Sequence, residues 1–203
     1  MPDSASGPGV PAAFGQATRS LRRAVLRPEL VVTEIAAPVG LAPYSVALAG
    51  DVSPARHGTD SVLGTGRFVV LYDPTEPDAW GGAFRIVSFA QAPLETDIGL
   101  DPFVTDVAWS WLIDGLDARG ARYDAASGTA TKAISTGYGE LSGQSEGAVL
   151  ELRASWTPLD TNIAAHAEGW SDLLCMIAGL PPTSDAVPLL PGHRATNHRA
   201  ARG

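Results

Sequence analysis

The sequence has too few cysteines for disulfide or thiolate chemistry. Cys175 is the only cysteine among 203 residues, which excludes an internal disulfide and any metal site with several thiolates. One cysteine agrees with a reducing compartment, so we expect a cytoplasmic protein. Because no basic residue stands beside Cys175 in the sequence to favour the thiolate, we expect it to be buried and unreactive.

Long apolar runs are also missing. No stretch is long enough to span a bilayer, and the opening segment MPDSASGPGV lacks the charged and apolar regions of a signal peptide. We therefore expect neither secretion nor a membrane partner. Hydrophobic residues make up 45% of the chain and charged residues 18%, a balance typical of a globular protein with a core.

Lysine is nearly absent, and acidic groups outnumber basic ones. Lys132 is the only lysine, and the net charge is −8. The acidic excess lies between residues 28 and 182, whereas both ends are basic. Since affinity for phosphate backbones comes mainly from cations, an acidic body does not favour nucleic acid as a partner.

Both ends are rich in proline, glycine and small residues. This composition predicts disorder over residues 1–13 and a disordered basic tail over residues 184–203. Residues 14–183 are then predicted to form a single domain.

Hydrophobic periodicity predicts three helices and six strands in this domain. A first helix begins near residue 14 and ends at Pro28, Asp101 and Pro102 start a second, and residues 162–179 form a third. The predicted strands are residues 29–36, 43–50, 66–73, 82–90, 127–139 and 147–157. The order α-ββββ-α-ββ-α, with hairpin connections, predicts an α+β fold: a twisted antiparallel sheet of about six strands with three long helices.

The stretch VAWSWL places two tryptophans on the second helix, two positions apart. At about 100° per residue, Trp109 and Trp111 point to different sides of a helix that is apolar nearly all round. Such a helix is buried on more than one side, either within one domain or at an interface. The residues that we predict for a partner interface are Trp109, Trp111, Ile113 and Leu116.

Signals for catalysis are weak. GQSEG at residues 143–147 has the G-x-S-x-G pattern around Ser145, but the predicted strand follows the serine instead of preceding it. His166 lies near the buried stripe of the last helix, where we expect a structural imidazole and not a ligand. We therefore predict no catalytic residue, no metal ligand and no cofactor, and we lean against an enzyme.

One acidic turn leaves an enzyme open as a second alternative. Asp73, Glu76 and Asp78 stand beside Trp80 at a spacing that can hold a divalent cation. A solvated turn requires the same residue types, which is the simpler interpretation.

The first helix carries a basic cluster. Arg19, Arg22, Arg23 and Arg27 form a possible contact for RNA, DNA or an acidic partner, and ion pairs with the acidic body are the other interpretation. The first alternative function is therefore an accessory factor in RNA metabolism that uses this helix and the basic tail.

Four stretches carry a resemblance to a known family: RFVVLYDPTEPDAWGGAFRIVSFAQAPLETDI, DPFVTDVAWSWLIDGL, RASWTP and GWSDLLCMIAGLPP. They resemble an actinobacterial family of uncharacterised proteins that share the domain of unknown function DUF3000. The resemblance covers about residues 14–183. It implies no activity, cofactor or catalytic residue.

The order of elements is also similar to that of type III secretion chaperones, small acidic cytosolic proteins that often dimerise through their middle helix. An extra strand ahead of that helix departs from their pattern, and a shared fold does not establish a shared function. With the acidic charge and the apolar second helix, this similarity favours a non-catalytic, cytoplasmic protein-interaction or chaperone-like module that forms a homodimer.

Overall fold

An antiparallel sheet with helices on one face forms the fold in the computed structural model, which describes residues 9–53, 62–142 and 147–182. The helices are α1 (Ala12–Leu21), α2 (Thr96–Leu100), α3 (Val104–Ala118) and α4 (Ile163–Ile177), with a 3₁₀ turn at Gly139–Leu141. The strands are β1 (Leu30–Ile35), β2 (Tyr44–Val52), β3 (Gly64–Tyr72), β4 (Phe84–Leu94), β5 (Tyr123–Ser135) and β6 (Gly147–Pro158). The predicted α+β class is confirmed.

The six strands are ordered β1-β2-β3-β4-β6-β5, and every neighbouring pair is antiparallel. Strand β6 lies inside the sheet, although it follows β5 in the chain. Its helix-facing side chains are all buried: Ala148, Leu150, Leu152, Ala154 and Trp156. Strand β5 consists mostly of small side chains and is largely exposed, so it occupies the edge.

The helices cover one face of the sheet, and in the described part of the chain no helix covers the other face. Phe68, Ile86 and Leu152 are among the fully buried side chains that point toward the helices. On the opposite face a smaller buried cluster of Ala47, Val69 and Leu71 packs with Trp80. Alternation along each strand produces this division, because successive side chains point to opposite faces.

Glycines allow the closest approaches around α4. A Cβ at Gly66 would lie 2.9 Å from the indole of Trp170, so this side chain fits where β3 has no side chain. The indole Nε1 donates to the carbonyl of Phe89 at 3.3 Å. Helices α3 and α4 meet at Gly115 and Gly169, where a Cβ at either position would lie 3.0 to 3.1 Å from backbone atoms of the other helix.

The first helix is shorter than predicted. It ends at Leu21, because the amides of Arg23 and Ala24 turn back to the carbonyls of Ser20 and Leu21. Arg27 therefore lies beyond the helix, and the prediction that the first helix carries Arg27 in its basic cluster is wrong.

The start of the second long helix also differs from prediction. Asp101 accepts a hydrogen bond from the amide of Phe103 at 2.8 Å, and α3 begins one residue later at Val104. The five-residue helix α2, which precedes this turn, was not predicted. It lies against β6, where Gly99 packs directly on Ala148, a tertiary contact that periodicity does not encode.

We expect Gly169→Ala to lower the free energy of unfolding by about 1–3 kcal/mol, because the new methyl group would press on the backbone of α3. Gly15→Ala in α1 is the matched control. Its Cβ would meet only the mobile end of Arg19 at 3.4 Å, so the gain in helix propensity of up to about 1 kcal/mol should remain. Urea denaturation measures both. Equal effects of the two substitutions would contradict the close helix contact.

Candidate interaction surface

Strand β5 presents a long edge. It spans 13 residues and pairs with β6, and within the described ranges no strand pairs with its other side. Natural proteins blunt such edges with outward charges, prolines or short strands. Lys132 does not act in this way, because its Nζ donates to the carbonyl of Asp101 at 2.9 Å on the helix side. The backbone of β5 is therefore open to pairing with another strand.

Both ends of this edge are tied to the helix layer. The hydroxyl of Tyr123 donates to the carboxylate of Asp117 on α3 at 3.0 Å, and burial with this carboxylate raises the pKa of Tyr123 to about 12. At the other end, Lys132 holds the turn before α3. An edge fixed in this way loses less conformational freedom when a second strand pairs with it.

The opposite edge of the sheet is much shorter. Strand β1 has six residues and carries Glu34, whose carboxylate lies 3.7 Å from the guanidinium of Arg22. Pro28 and Pro38 stand close to its two ends. Short length, charge and neighbouring prolines are the features that disfavour edge pairing, so β5 is the better candidate.

Exposed apolar side chains gather beside the second half of β5. We call this group the edge patch, and it consists of Ile98, Leu100, Phe103, Val107, Ile134 and Tyr138. Gly99 between the first two rests on Ala148, whose partner on β5 is Ile134, so α2 and the end of β5 are adjacent. Phe103 is 66% exposed and Leu100 62%. Exposed apolar residues that lie close together are typical of sites of protein contact.

The two tryptophans of α3 flank its buried stripe on opposite sides. Both are half-buried and pack against the core of their own chain. The Trp109 ring lies over Gly128 of β5, where a Cβ would come within 2.8 Å of it. Trp109 is thus the tryptophan that lies at the strand edge, and its remaining exposed surface borders that edge.

The other two residues predicted for an interface differ in burial. Ile113 is half-buried, whereas Leu116 is completely buried. Leu116 therefore has no surface for a partner, because it lies on the stripe that faces the core. Phe103, the residue before α3, and Val107 on α3 were not predicted for an interface, yet both are exposed members of the edge patch and lie one turn apart.

The basic cluster is divided by the structure. Arg19, Arg22 and Arg23 are exposed, and Arg19 and Arg23 line an open depression between α1 and the start of α4. Arg27 is 5% exposed, and its guanidinium pairs with Glu29 at 2.8 Å and donates to the carbonyl of Pro181. The hydrogen bond with Glu29 raises the pKa of Arg27. Arg27 therefore links the segment before β1 to the segment after α4, and its guanidinium is not available to a polyanion. The basic tail lies outside the described residues.

In the acidic turn, the carboxylate of Asp73 accepts hydrogen bonds from its neighbour Thr75. Asp73 Oδ1 accepts from the amide of Thr75 at 2.9 Å and from its hydroxyl at 2.7 Å. Glu76 has a φ of 51°, a turn conformation. Among residues 9–53, 62–142 and 147–182, no group of three or more histidine, cysteine or acidic side chains is placed to hold a metal ion. Ser145 lies outside the described residues.

Cys175 and His166 are both buried. Cys175 is fully buried as predicted, and burial raises the pKa of its thiol to about 12, so it stays protonated. His166 is also fully buried, and its Nδ1 accepts from the indole Nε1 of Trp156 at 3.0 Å. Its Nε2 has no hydrogen-bond partner in the described part of the chain, and burial lowers its pKa from 6.5 to about 4.

Within the described ranges, no helix is long and apolar enough to cross a membrane.

Comparison with known protein families gives a match over most of the chain. The family model described as Protein of unknown function (DUF3000) matches residues 10–187. No curated protein matches, and no solved structure matches.

We expect His166 to make stability depend on pH. Because its pKa is lower in the folded protein, the unfolded chain takes up the proton first as the pH falls, so stability is lost between about pH 6.5 and 4. The matched variant is His166→Gln, whose amide oxygen can still accept from Trp156. Between pH 7 and pH 4, the stability of the wild type relative to this variant should fall by about 2–3 kcal/mol in urea titrations. A difference that does not change with pH would rule out the neutral buried imidazole.

Proposed function

We propose that this chain, which belongs to the DUF3000 family of proteins of unknown function, is a protein-interaction module that forms a homodimer through the free edge of β5. The observation that carries the proposal is the long edge of β5 beside the edge patch, a strand of 13 residues with Asp124 and Lys132 as its charged side chains. The lone buried cysteine suits a reducing compartment, and we place the module in the cytoplasm.

A two-fold axis suits this edge. An antiparallel strand can pair with its own copy, because a two-fold axis brings the same edge to itself in the opposite direction. Such pairing, centred near Thr129, would join the two sheets into one continuous sheet. The unpaired backbone groups of β5 would then gain partners that they lack in a single chain.

The side chains next to the edge support the same pairing. In a dimer centred near Thr129, the Trp109 rings of the two copies would lie on either side of the axis, because each ring covers Gly128. The edge patch of one copy would face the first half of β5 in the other, next to its exposed Arg122. Each apolar side chain fully buried in this way would contribute about 1.5–3 kcal/mol.

Charge complementarity also favours the antiparallel arrangement. Asp97, Asp101 and Asp106 are exposed beside the edge patch in the helix layer, and a two-fold parallel pairing would put the helix layers of the two copies on opposite faces of the sheet. In the antiparallel arrangement these carboxylates would instead face the start of β5 in the other copy, next to its Arg122. The net charge of −8 on each chain still opposes association, so added salt should strengthen the dimer.

Light scattering of the full chain across a wide range of concentrations tests the proposal. We expect a species of twice the chain mass of 21.0 kDa. Ile134→Asp and Trp109→Ala should each weaken dimerisation by about tenfold or more, since both remove apolar contact at the centre or flank of the interface.

Two matched controls accompany these variants. Val39→Asp places the same charge at a loop residue that is 99% exposed, and Trp111→Ala removes the tryptophan on the other flank of α3. Neither should change the dissociation constant by more than about twofold. A monomer at every concentration, or a dimer equally sensitive to the control substitutions, would refute a dimer through β5.

A further inference from the structure

An arginine on the helix-free face of the sheet has hydroxyl partners in place of a carboxylate. The half-buried guanidinium of Arg85 on β4 donates to Ser155 Oγ at 2.6 Å, Thr157 Oγ1 at 3.0 Å and Ser127 Oγ at 3.4 Å. No carboxylate in the described part of the chain forms an ion pair with it. Burial lowers the pKa of Arg85, since the group loses water without gaining an opposite charge, but it stays protonated.

These hydroxyls retain hydrogen-bond donors for a further group. A hydroxyl that accepts from Arg85 still carries its own proton. Thr157 gives its proton to the carbonyl of Trp80. Ser127 and Ser155 lie 3.4 Å apart, so one of them can donate to the other and leave at least one proton for a ligand.

The two serines line an open depression of about 370 Å³ on this face. We call it the serine pocket. Its wall also includes the hydroxyl residue Thr129 and the exposed Arg153. The guanidinium of Arg153 lies 5.5 Å from the centre of the Phe89 ring and pairs with Glu151 at 2.6 Å. Because Glu151 neutralises Arg153, the net positive charge beside the serine pocket comes from Arg85, which bonds to the two serines from outside the pocket wall.

The backbone beside the serine pocket is irregular. The pairing of β5 with β6 shifts register between Asp124 and Ser127, and Ala125 has a φ of 49°. The carbonyl of Ala125 accepts from Arg85 at 3.2 Å, and its amide donates to Asp124 Oδ1 at 2.7 Å. A left-handed conformation at a residue with a side chain costs free energy, and such strain is concentrated at functional sites. Here the carbonyl of Ala125 at the bulge accepts from Arg85, whose positive charge lies beside the pocket.

We infer that the serine pocket binds a phosphate group against Ser127, Thr129, Ser155 and Arg153, with the positive charge of Arg85 behind the two serines. The donors that remain at the pocket are the hydroxyl of Thr129, at least one proton of the Ser127–Ser155 pair and the N–H groups of Arg153 that do not bond to Glu151. Arg85, whose two terminal nitrogens already donate to protein oxygens, adds positive charge. The three terminal oxygens of a phosphate monoester can accept this number of donors. The inference goes beyond the proposed function and does not rest on it, since the side chains that would bind phosphate project from the sheet face, although Ser127 and Thr129 belong to the edge strand.

NMR titration of the full chain with inorganic phosphate at low salt tests the inference. We expect saturable shifts of the amide signals of Ser127, Thr129 and Ser155. Arg85→Gln should weaken binding by about tenfold or more, because it removes the uncompensated charge. Ser155→Ala, which keeps the net charge, should weaken binding as well. Arg22→Gln is the matched control, since it removes an equal charge at an exposed site on the helix side and should leave the affinity unchanged.

Acetate titrated in parallel distinguishes the two anion classes. Weaker binding of acetate supports a phosphate site, and equal or tighter binding overturns the assignment to phosphate. Glycerol 3-phosphate and a phosphoserine peptide then separate a small metabolite from a modified side chain, and tighter binding of either than of inorganic phosphate supports the site. Shifts that do not saturate, or that Arg85→Gln and Arg22→Gln reduce equally, overturn the inference. Unchanged binding in a folded Ser155→Ala protein does so too.

Discussion

The placement of β6 inside the sheet is the constraint on which the other features depend. Its helix-facing side chains, with Leu150 and Trp156 fully buried, need strands on both sides and helices above. Since β5 and β6 form one hairpin, β5 is left at the edge. Its small side chains contribute little to the core, which is why α3 can approach until Trp109 rests on Gly128. The free edge, the edge patch and the serine pocket all follow from this placement.

The strands and the two long C-terminal helices could be predicted because each has its own periodicity. The buried positions of α4, such as Ile163, Trp170 and Ile177, repeat at helical spacing, and its bounds agree closely with prediction. Other features depend on tertiary contacts. The end of α1 is set by a turn whose residues would also continue a helix, and α2 exists where Gly99 meets Ala148. Periodicity in a single segment carries no information about either.

Parts of the candidate surface were visible in the sequence and others were not. Because α3 is apolar on two sides, the sequence predicted Trp109 as an interface residue. It did not show that Phe103 is exposed and that Leu116 is buried. Tertiary packing decided which apolar stripe faced the core. The serine pocket could not be predicted, because Arg85, Ser127 and Ser155 come together only through the register of three strands. A residue pattern along one segment does not reveal a site assembled across a sheet.

The most direct test of a protein-interaction edge is amide hydrogen exchange along β5, resolved by residue. In an isolated strand edge, alternate amides of Tyr123–Ser135 bond to β6 and the others face water. Our account predicts that the outward amides are also protected, and that dilution of the protein removes their protection while the inward amides keep theirs. Rapid exchange of the outward amides at every concentration, beside protected inward ones, would contradict it.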